Sequence, residues 1–401
     1  LKPIHVLAAA TTLLSACATA PSPDAGTPDA FGPCPVEAGH PELADSVCSV
    51  QTVALDPDAP DGETIDLFVR KFPARTERAG EVWMLAGGPG EAGTSFYTKI
   101  ADFRARFPGY DVLIPDHRGT GRSSRLCAGE TLQSEAGTAL AGAEFGPCFG
   151  EVWAQADRTT QFSMTHAARD LDTLMDRLGG DGERWVYAVS YGTGLALRFG
   201  QLHDAPVDGL ILDSLVPAAR ARIPDMIDIA IHRPEALEAF HADAVVPAFD
   251  ALSAVSDYEA SAFSITLAGL IGVSETNRRP EMTAEAVAAE EAGLWFTSPL
   301  TQLQTRTSMP AYPRDEWFDA PYADMPPILV VHGTLDPKTT LEGARRHIAA
   351  LEAGGTDVTV TIVERAPHAS WFFAPDCLHD AMEDFMGGEA VAERCRPAPV
   401  Q

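Results

Sequence analysis

WVYAVSYGTGLALRFG, residues 185–200, runs from a short apolar segment through a serine into glycine-spaced residues that read as the start of a helix. The order is strand, turn, helix, with Ser190 on the turn. A serine lifted on so sharp a turn is held in a backbone conformation that L-residues avoid. The residues two before and two after it must then be small, because strand and helix approach closely there. Ala188 and Gly192 meet that need. The usual form of the pattern has glycine at both places. A small-x-Ser-x-Gly also occurs at ordinary strand ends, so its meaning depends on what surrounds it.

Outward from this turn the same rhythm repeats. EVWMLAGG (81–88), YDVLIPD (110–116), DGLILDS (208–214), PPILVVHG (326–333) and VTVTIVE (358–364) are short, nearly continuous apolar runs, as expected of strands buried on both faces. Helical stretches lie between them. In SMTHAARDLDTLMDRLGG (163–180), Ala168, Leu171, Leu174, Met175 and Leu178 recur at helical spacing and a glycine pair closes the end. Upstream, SVQTVALD and ETIDLFVRKFPA flank the turn sequence PDAPDG and read as an antiparallel pair. The class is α/β, with a mostly parallel central sheet and helices on both faces. Between residues 217 and 325 the alternation lapses into Ala-, Glu- and Met-bearing helical sequence, which is expected to form an inserted helical cap. The core is then 34–216 plus 326–401.

The surroundings of Ser190 add chemistry. LAGGPGEAGTSF (85–96) follows a strand, and its glycines let backbone approach a substrate without side chains in the way. Acyl transfer needs two N–H groups aimed at the developing oxyanion; Tyr191, the residue after the serine, and Gly88 are the candidates. A serine also needs a base, and the base an orienting carboxylate. Of eleven histidines, His368 lies just past the last strand candidate, and Asp336 just past the strand before it. His332 ends a buried strand and reads as a packed core residue. His117 and His166 read as loop and helix residues. Asp213, after GLILD, is the rival acid.

Composition excludes other classes. Asp and Glu number 57 against 29 Lys and Arg, and no basic cluster could track a phosphate backbone, so nucleic acid is not an expected partner. A hydrophobic content of 45% fits a globular chain with a sizeable core. No CxxC or HExxH occurs, and no metal or organic cofactor is expected. The opening LKPIHVLAAATTLLSAC resembles a bacterial lipoprotein signal. That resemblance implies a signal peptide over 1–16, lipidation at Cys17, and a flexible Pro/Ala/Asp/Thr-rich tether over 17–33. Ala18 after Cys17 resembles outer-membrane sorting, so the cell envelope is the expected location. The remaining cysteines fall as sequence neighbours: Cys34 with Cys48, Cys127 with Cys148, Cys377 with Cys395. Three local disulfides are the natural pairing, although spacing alone leaves other pairings open.

With these residues in hand, the chain resembles the prolyl iminopeptidase and tripeptidyl aminopeptidase (TAP-like) group of α/β-hydrolases. The likeness rests on GGPG (87–90), DHRGTGRSS (116–124), YAVSYGTGLA (187–196), LILDS, HGTLDPKTT around Asp336, APHASW around His368, and the run from Cys377 to Cys395. The chain order Ser190, Asp336, His368 is the order of that fold. The resemblance implies an α/β-hydrolase fold with a helical cap, and structural roles for Asp116, Arg118 and Gly119. Ala86 stands where iminopeptidases carry histidine before GGPG, which leans toward the tripeptidyl branch. Exopeptidases of the group hold the substrate's free amine on a cap carboxylate; AEAVAAEEAGLWF looks like that segment, with Glu291 as the acid and Ala289 in place of the usual cysteine.

The expected function is a lipid-anchored serine aminopeptidase acting on peptides with free N-termini. An esterase or lactonase with the same triad, and a non-catalytic surface binding protein on a hydrolase scaffold, are the alternatives.

Overall fold

The computed structural model describes residues 30–134, 137–218, 254–276, 283–292 and 309–397. The expected signal peptide, Cys17 and nearly all of the tether lie outside these residues, as does much of the expected cap.

The strands are β1 (Gly32–Pro33), β2 (Val47–Ala54), β3 (Thr64–Phe72), β4 (Gly80–Leu85), β5 (Tyr110–Pro115), β6 (Glu183–Val189), β7 (Gly209–Asp213), β8 (Ile328–Gly333), β9 (Val358–Val363) and β10 (Arg394–Cys395). They form one sheet in the order β1-β2-β3-β5-β4-β6-β7-β8-β9-β10. β1, β2 and β3 pair antiparallel, and β3 meets β5 antiparallel. From β5 across to β10 every neighbouring pair is parallel. All of the longer strands coincide with the apolar runs of the sequence. The two-residue edge strands β1 and β10 carry no readable pattern.

The helices used below are α1 (Ile100–Arg106), α2 (Phe145–Ala154), α3 (Met164–Leu178), α4 (Tyr191–Leu202), α5 (Ile265–Ile271), α6 (Ala284–Glu291), α7 (Leu341–Ala353) and α8 (Pro375–Met386). β4, β7 and β8 are buried at every residue, because helices cover both faces. Alternation along the strands sorts the two core layers. Trp83, Leu85, Val186, Ala188, Ile328 and Val330 face the layer made with α3, α4 and α7. Val82, Met84, Tyr187, Val189, Leu329 and Val331 face the layer made with α1 and α8. The α3 stripe Leu171, Leu174 and Met175 is 1–2% exposed, and each such side chain stabilises the fold by about 1.5–3 kcal/mol relative to exposure. Ser163 caps α3 by accepting the His166 N–H at 3.1 Å.

The disulfides pair Cys34 with Cys48, Cys127 with Cys148 and Cys377 with Cys395. The first and last of them lie beside β1 and within β10, where so short a ladder offers few hydrogen bonds. Among the described residues, no helix is long and apolar enough to cross a membrane.

Candidate active site

Ser190 joins β6 to α4 with φ 54° and ψ −125°, a conformation strained for any L-residue. Packing enforces it. A β-carbon on Gly192 would come within 2.5 Å of the Leu85 carbonyl oxygen and 2.7 Å of that of Ala86, so only glycine lets α4 sit on the end of β4. The Ser190 N–H donates to the Asp213 carbonyl at 3.0 Å, continuing the β6–β7 ladder past the turn. Its carbonyl accepts from the Thr193 hydroxyl at 2.6 Å. Tyr191 is the first residue of α4, so its N–H has no intrahelical acceptor and stands at the positive end of the helix dipole.

The Gly87–Gly90 turn lies against this elbow. A β-carbon on buried Gly87 would lie 3.1 Å from that of Ser190. Gly88 is exposed and has φ +109°, and a β-carbon there would meet the Gly90 nitrogen at 2.5 Å. Gly88 is therefore a steric necessity, while a side chain at Gly87 would crowd Ser190.

Asp336 and His368 come together on the loops after β8 and β9. The two carboxylate oxygens of Asp336 lie 2.9 and 2.8 Å from His368 Nδ1. They also receive the N–H groups of Lys338 and Thr339 and the Thr339 hydroxyl, each at 2.9 Å. Burial alone raises the Asp336 carboxyl, but the His368 charge and hydrogen bond, aided by His332 and the Thr339 N–H, outweigh it. The group is held well below the usual carboxylate range. An ionised Asp336 fixes the proton on Nδ1, which leaves Nε2 with its lone pair.

The rival acid has a different task. Asp213 is fully buried, and its carboxylate accepts the N–H groups of Ser370 and Trp371 at 2.9 Å each and the Tyr187 hydroxyl at 2.9 Å. Ser214 Oγ accepts the Ala369 N–H at 2.8 Å, and the Ser214 carbonyl lies 3.1 Å from the Thr339 hydroxyl oxygen. Asp213 thus grips the backbone just past His368, while the imidazole itself is held by Asp336.

Comparison with known proteins agrees with this topology. Residues 82–247 match the model of the alpha/beta hydrolase fold, and residues 300–391 match that of TAP-like proteins. The chain has the α/β-hydrolase fold, and its C-terminal part is similar to TAP-like proteins. A tripeptidyl aminopeptidase from Streptomyces lividans is 27% identical over 44% of this chain and 36% of its own length. The serine protease Hip1 of Mycobacterium tuberculosis is 27% identical over 48% of this chain and 41% of its own. The matched region therefore spans about two fifths of each of these relatives. An esterase structure from Thermogutta terrifontis aligns over 85% of this chain and 98% of its own, with a TM-score of 0.45 and 14% identity.

The remaining candidates of this α/β-hydrolase are accounted for as follows. His332 is buried beside Asp336, with Nε2 2.8 Å from the Thr339 carbonyl, and burial lowers its pKa. His117 is buried against the Tyr191 ring, with centroids 5.7 Å apart, and burial brings it down to about 4. Arg118, 1% exposed, donates to both carboxylate oxygens of Asp170 at 2.6 and 2.7 Å and to the carbonyls of Leu55 and Gln161. Asp116 accepts the N–H groups of Gly93 and Arg122. Both side chains thus hold the loop after β5 to its surroundings. Glu291 is buried at the end of α6, whose flanking segments 277–282 and 293–308 lie outside the described residues. Among the described residues, Asp56, Asp58 and His166 bring possible metal-ligand atoms within 4.8 Å of one another, but Asp58 already pairs with Arg169 at 2.7 Å.

Sequence reasoning missed the role of one residue it had named and passed over another altogether. The role of Asp213 is a backbone contact that no motif records. Glu91, directly after the GGPG turn, was not singled out, because its proximity to Ser190 is a through-space relationship across Gly87.

Proposed function

We propose that this α/β-hydrolase is an exported serine aminopeptidase that removes residues from peptide N-termini through an acyl-enzyme. The observation that carries the reading is the Asp336–His368 pair at 2.8 Å, tied through Asp213 to the strand end that also receives the Ser190 N–H. In the proposed mechanism His368 Nε2 takes the Ser190 proton as Oγ attacks the substrate carbonyl. Asp336 keeps the imidazole in the required tautomer and stabilises its charged form. The N–H groups of Gly88 and Tyr191 receive the oxyanion. His368 then returns the proton to the leaving amine, and a water molecule, deprotonated by the same imidazole, releases the acyl group. These steps call on no metal or cofactor.

The peptide substrate is supported by the TAP-like match and by relatives named as a tripeptidyl aminopeptidase and a serine protease. The buried Glu291 is the cap-side candidate for contact with the substrate's amine. Export is supported by three disulfides, which persist in oxidising compartments; the signal-like opening adds lipidation at Cys17 and an envelope location to the proposal.

The test is a scan of fluorogenic peptides with free and acetylated N-termini, using protein that begins after the signal-like segment. The reading expects turnover of free peptides at least tenfold above their blocked forms. Turnover of p-nitrophenyl acetate with no cleavage of any peptide would convert the assignment to an esterase.

A further inference from the structure

Glu91 follows the Gly87–Gly90 turn directly and is half-buried. Its Oε2 and the β-carbon of Ser190 each lie 3.1 Å from the point that a β-carbon on Gly87 would occupy, so the two are within about 6 Å of each other. Among the described residues, no hydrogen bond or ion pair reaches that carboxylate.

A negative charge in this position opposes the reaction proposed for the site. Attack on an acyl carbon places negative charge on its oxygen, and an uncompensated carboxylate nearby raises the barrier. A cation between the two anions reverses the effect. The acyl group can bring that cation itself, because the α-ammonium of an amino-acid residue sits two bonds from the carbonyl carbon under attack. The bonds from the serine β-carbon through Oγ, the acyl carbon and Cα to that nitrogen span about 4–5 Å, which leaves the nitrogen within charge-assisted hydrogen-bond reach of Glu91. In a tripeptidyl unit the ammonium would lie about 7 Å further out along an extended chain. The carboxylate is placed for the nearer cation.

We propose that Glu91 binds the α-ammonium of the residue whose carbonyl acylates Ser190, so that the enzyme releases single amino acids from charged N-termini. The peptide part of this proposal rests on the aminopeptidase reading above. Its electrostatic part does not, since an amino-acid ester presents the same ammonium. Glu91 approaches from the core side, opposite in origin to the cap residue Glu291.

The test compares alanine p-nitrophenyl ester with propionic acid p-nitrophenyl ester, which lacks only the ammonium, at about pH 6.5, where an α-amine is charged. Glu91→Gln is expected to lower kcat/KM for the alanine ester and to raise it for the propionyl ester, so that their ratio falls at least fivefold. A smaller change in the ratio, including an equal fall in both that reflects only lost structure, overturns the proposal. The wild-type protein gives a second measurement that requires no variant: it should cleave an alanyl coumarylamide faster than the trialanyl coumarylamide. A preference for the tripeptide overturns single-residue release. Cleavage of both esters with no cleavage of any amide strikes the aminopeptidase reading instead, and the ester ratio still judges Glu91.

Discussion

Asp213 accepts the Ser370 N–H at 2.9 Å with its carboxylate, while its main-chain carbonyl accepts the Ser190 N–H at 3.0 Å. One residue at the end of β7 therefore holds both the turn that bears the proposed nucleophile and the loop that bears its base. An amide in place of this carboxylate could accept from one of the two loop N–H groups but would turn its own NH2 toward the other. Asp213→Asn should cost about 1–3 kcal/mol of stability, the range for leaving a buried donor unsatisfied, read by urea denaturation. It should also lower kcat at least tenfold. Unchanged stability and turnover would remove Asp213 from this role.

Asp336→Asn leaves the geometry nearly intact but reverses the tautomer preference of His368, and kcat should fall by about 10³–10⁴. The pH dependence has a definite sign. The Asp336 carboxyl is depressed in the folded state, so its contribution to stability is fully present above the unfolded value, near 3.9, and is lost as the pH falls through and below it. The stability difference between wild type and Asp336→Asn should therefore shrink as the pH falls below about 4. A difference that grows on acidification contradicts this arrangement.

Two glycine substitutions should have opposite signs. Gly192→Ala places a methyl group 2.5 Å from the Leu85 carbonyl oxygen, and overpacking of this kind costs about 1–3 kcal/mol or more. It should also abolish active-site labelling by moving the elbow away from the Gly87–Gly90 turn. Gly150→Ala, on exposed α2 with nothing within 4 Å of the added carbon, should stabilise by about 0.5–1 kcal/mol from helix propensity. Thermal melts of both variants check the pair.

The bridge between Cys377 and Cys395 closes a loop with a sequence separation of 18. Replacing both cysteines by alanine should destabilise the fold by about 3 kcal/mol on the chain-entropy estimate. Activity at room temperature should survive, because the His368 loop is anchored through Asp213 and Ser214 and not through this bridge. Loss of activity in variant protein that is still folded would show a coupling absent from this account.

The sheet was legible because its long strands are buried on both faces, which leaves nearly unbroken apolar runs such as ILVV in β8. β1 and β10 were not, since two residues have no period. Around the site, Ser190, Gly88 and Gly192 could be read from steric demands that only small residues satisfy. His368 and Asp336 could be read from their places after successive strands. Asp213 stayed the rival to Asp336, because both follow apolar strand runs and what separates them is whether the carboxylate meets an imidazole or a backbone. Glu91 escaped notice because its significance lies in a through-space distance to Ser190 across a glycine.

The central claim is that Ser190 is a nucleophile activated by His368. Reaction of the folded protein with a fluorophosphonate probe, followed by intact mass and peptide mapping, tests it most directly. The account predicts a single adduct on Ser190, none in Ser190→Ala, and labelling slowed at least a hundredfold in His368→Ala. Folded wild-type protein that stays unlabelled, or that carries its adduct on another residue, would contradict it.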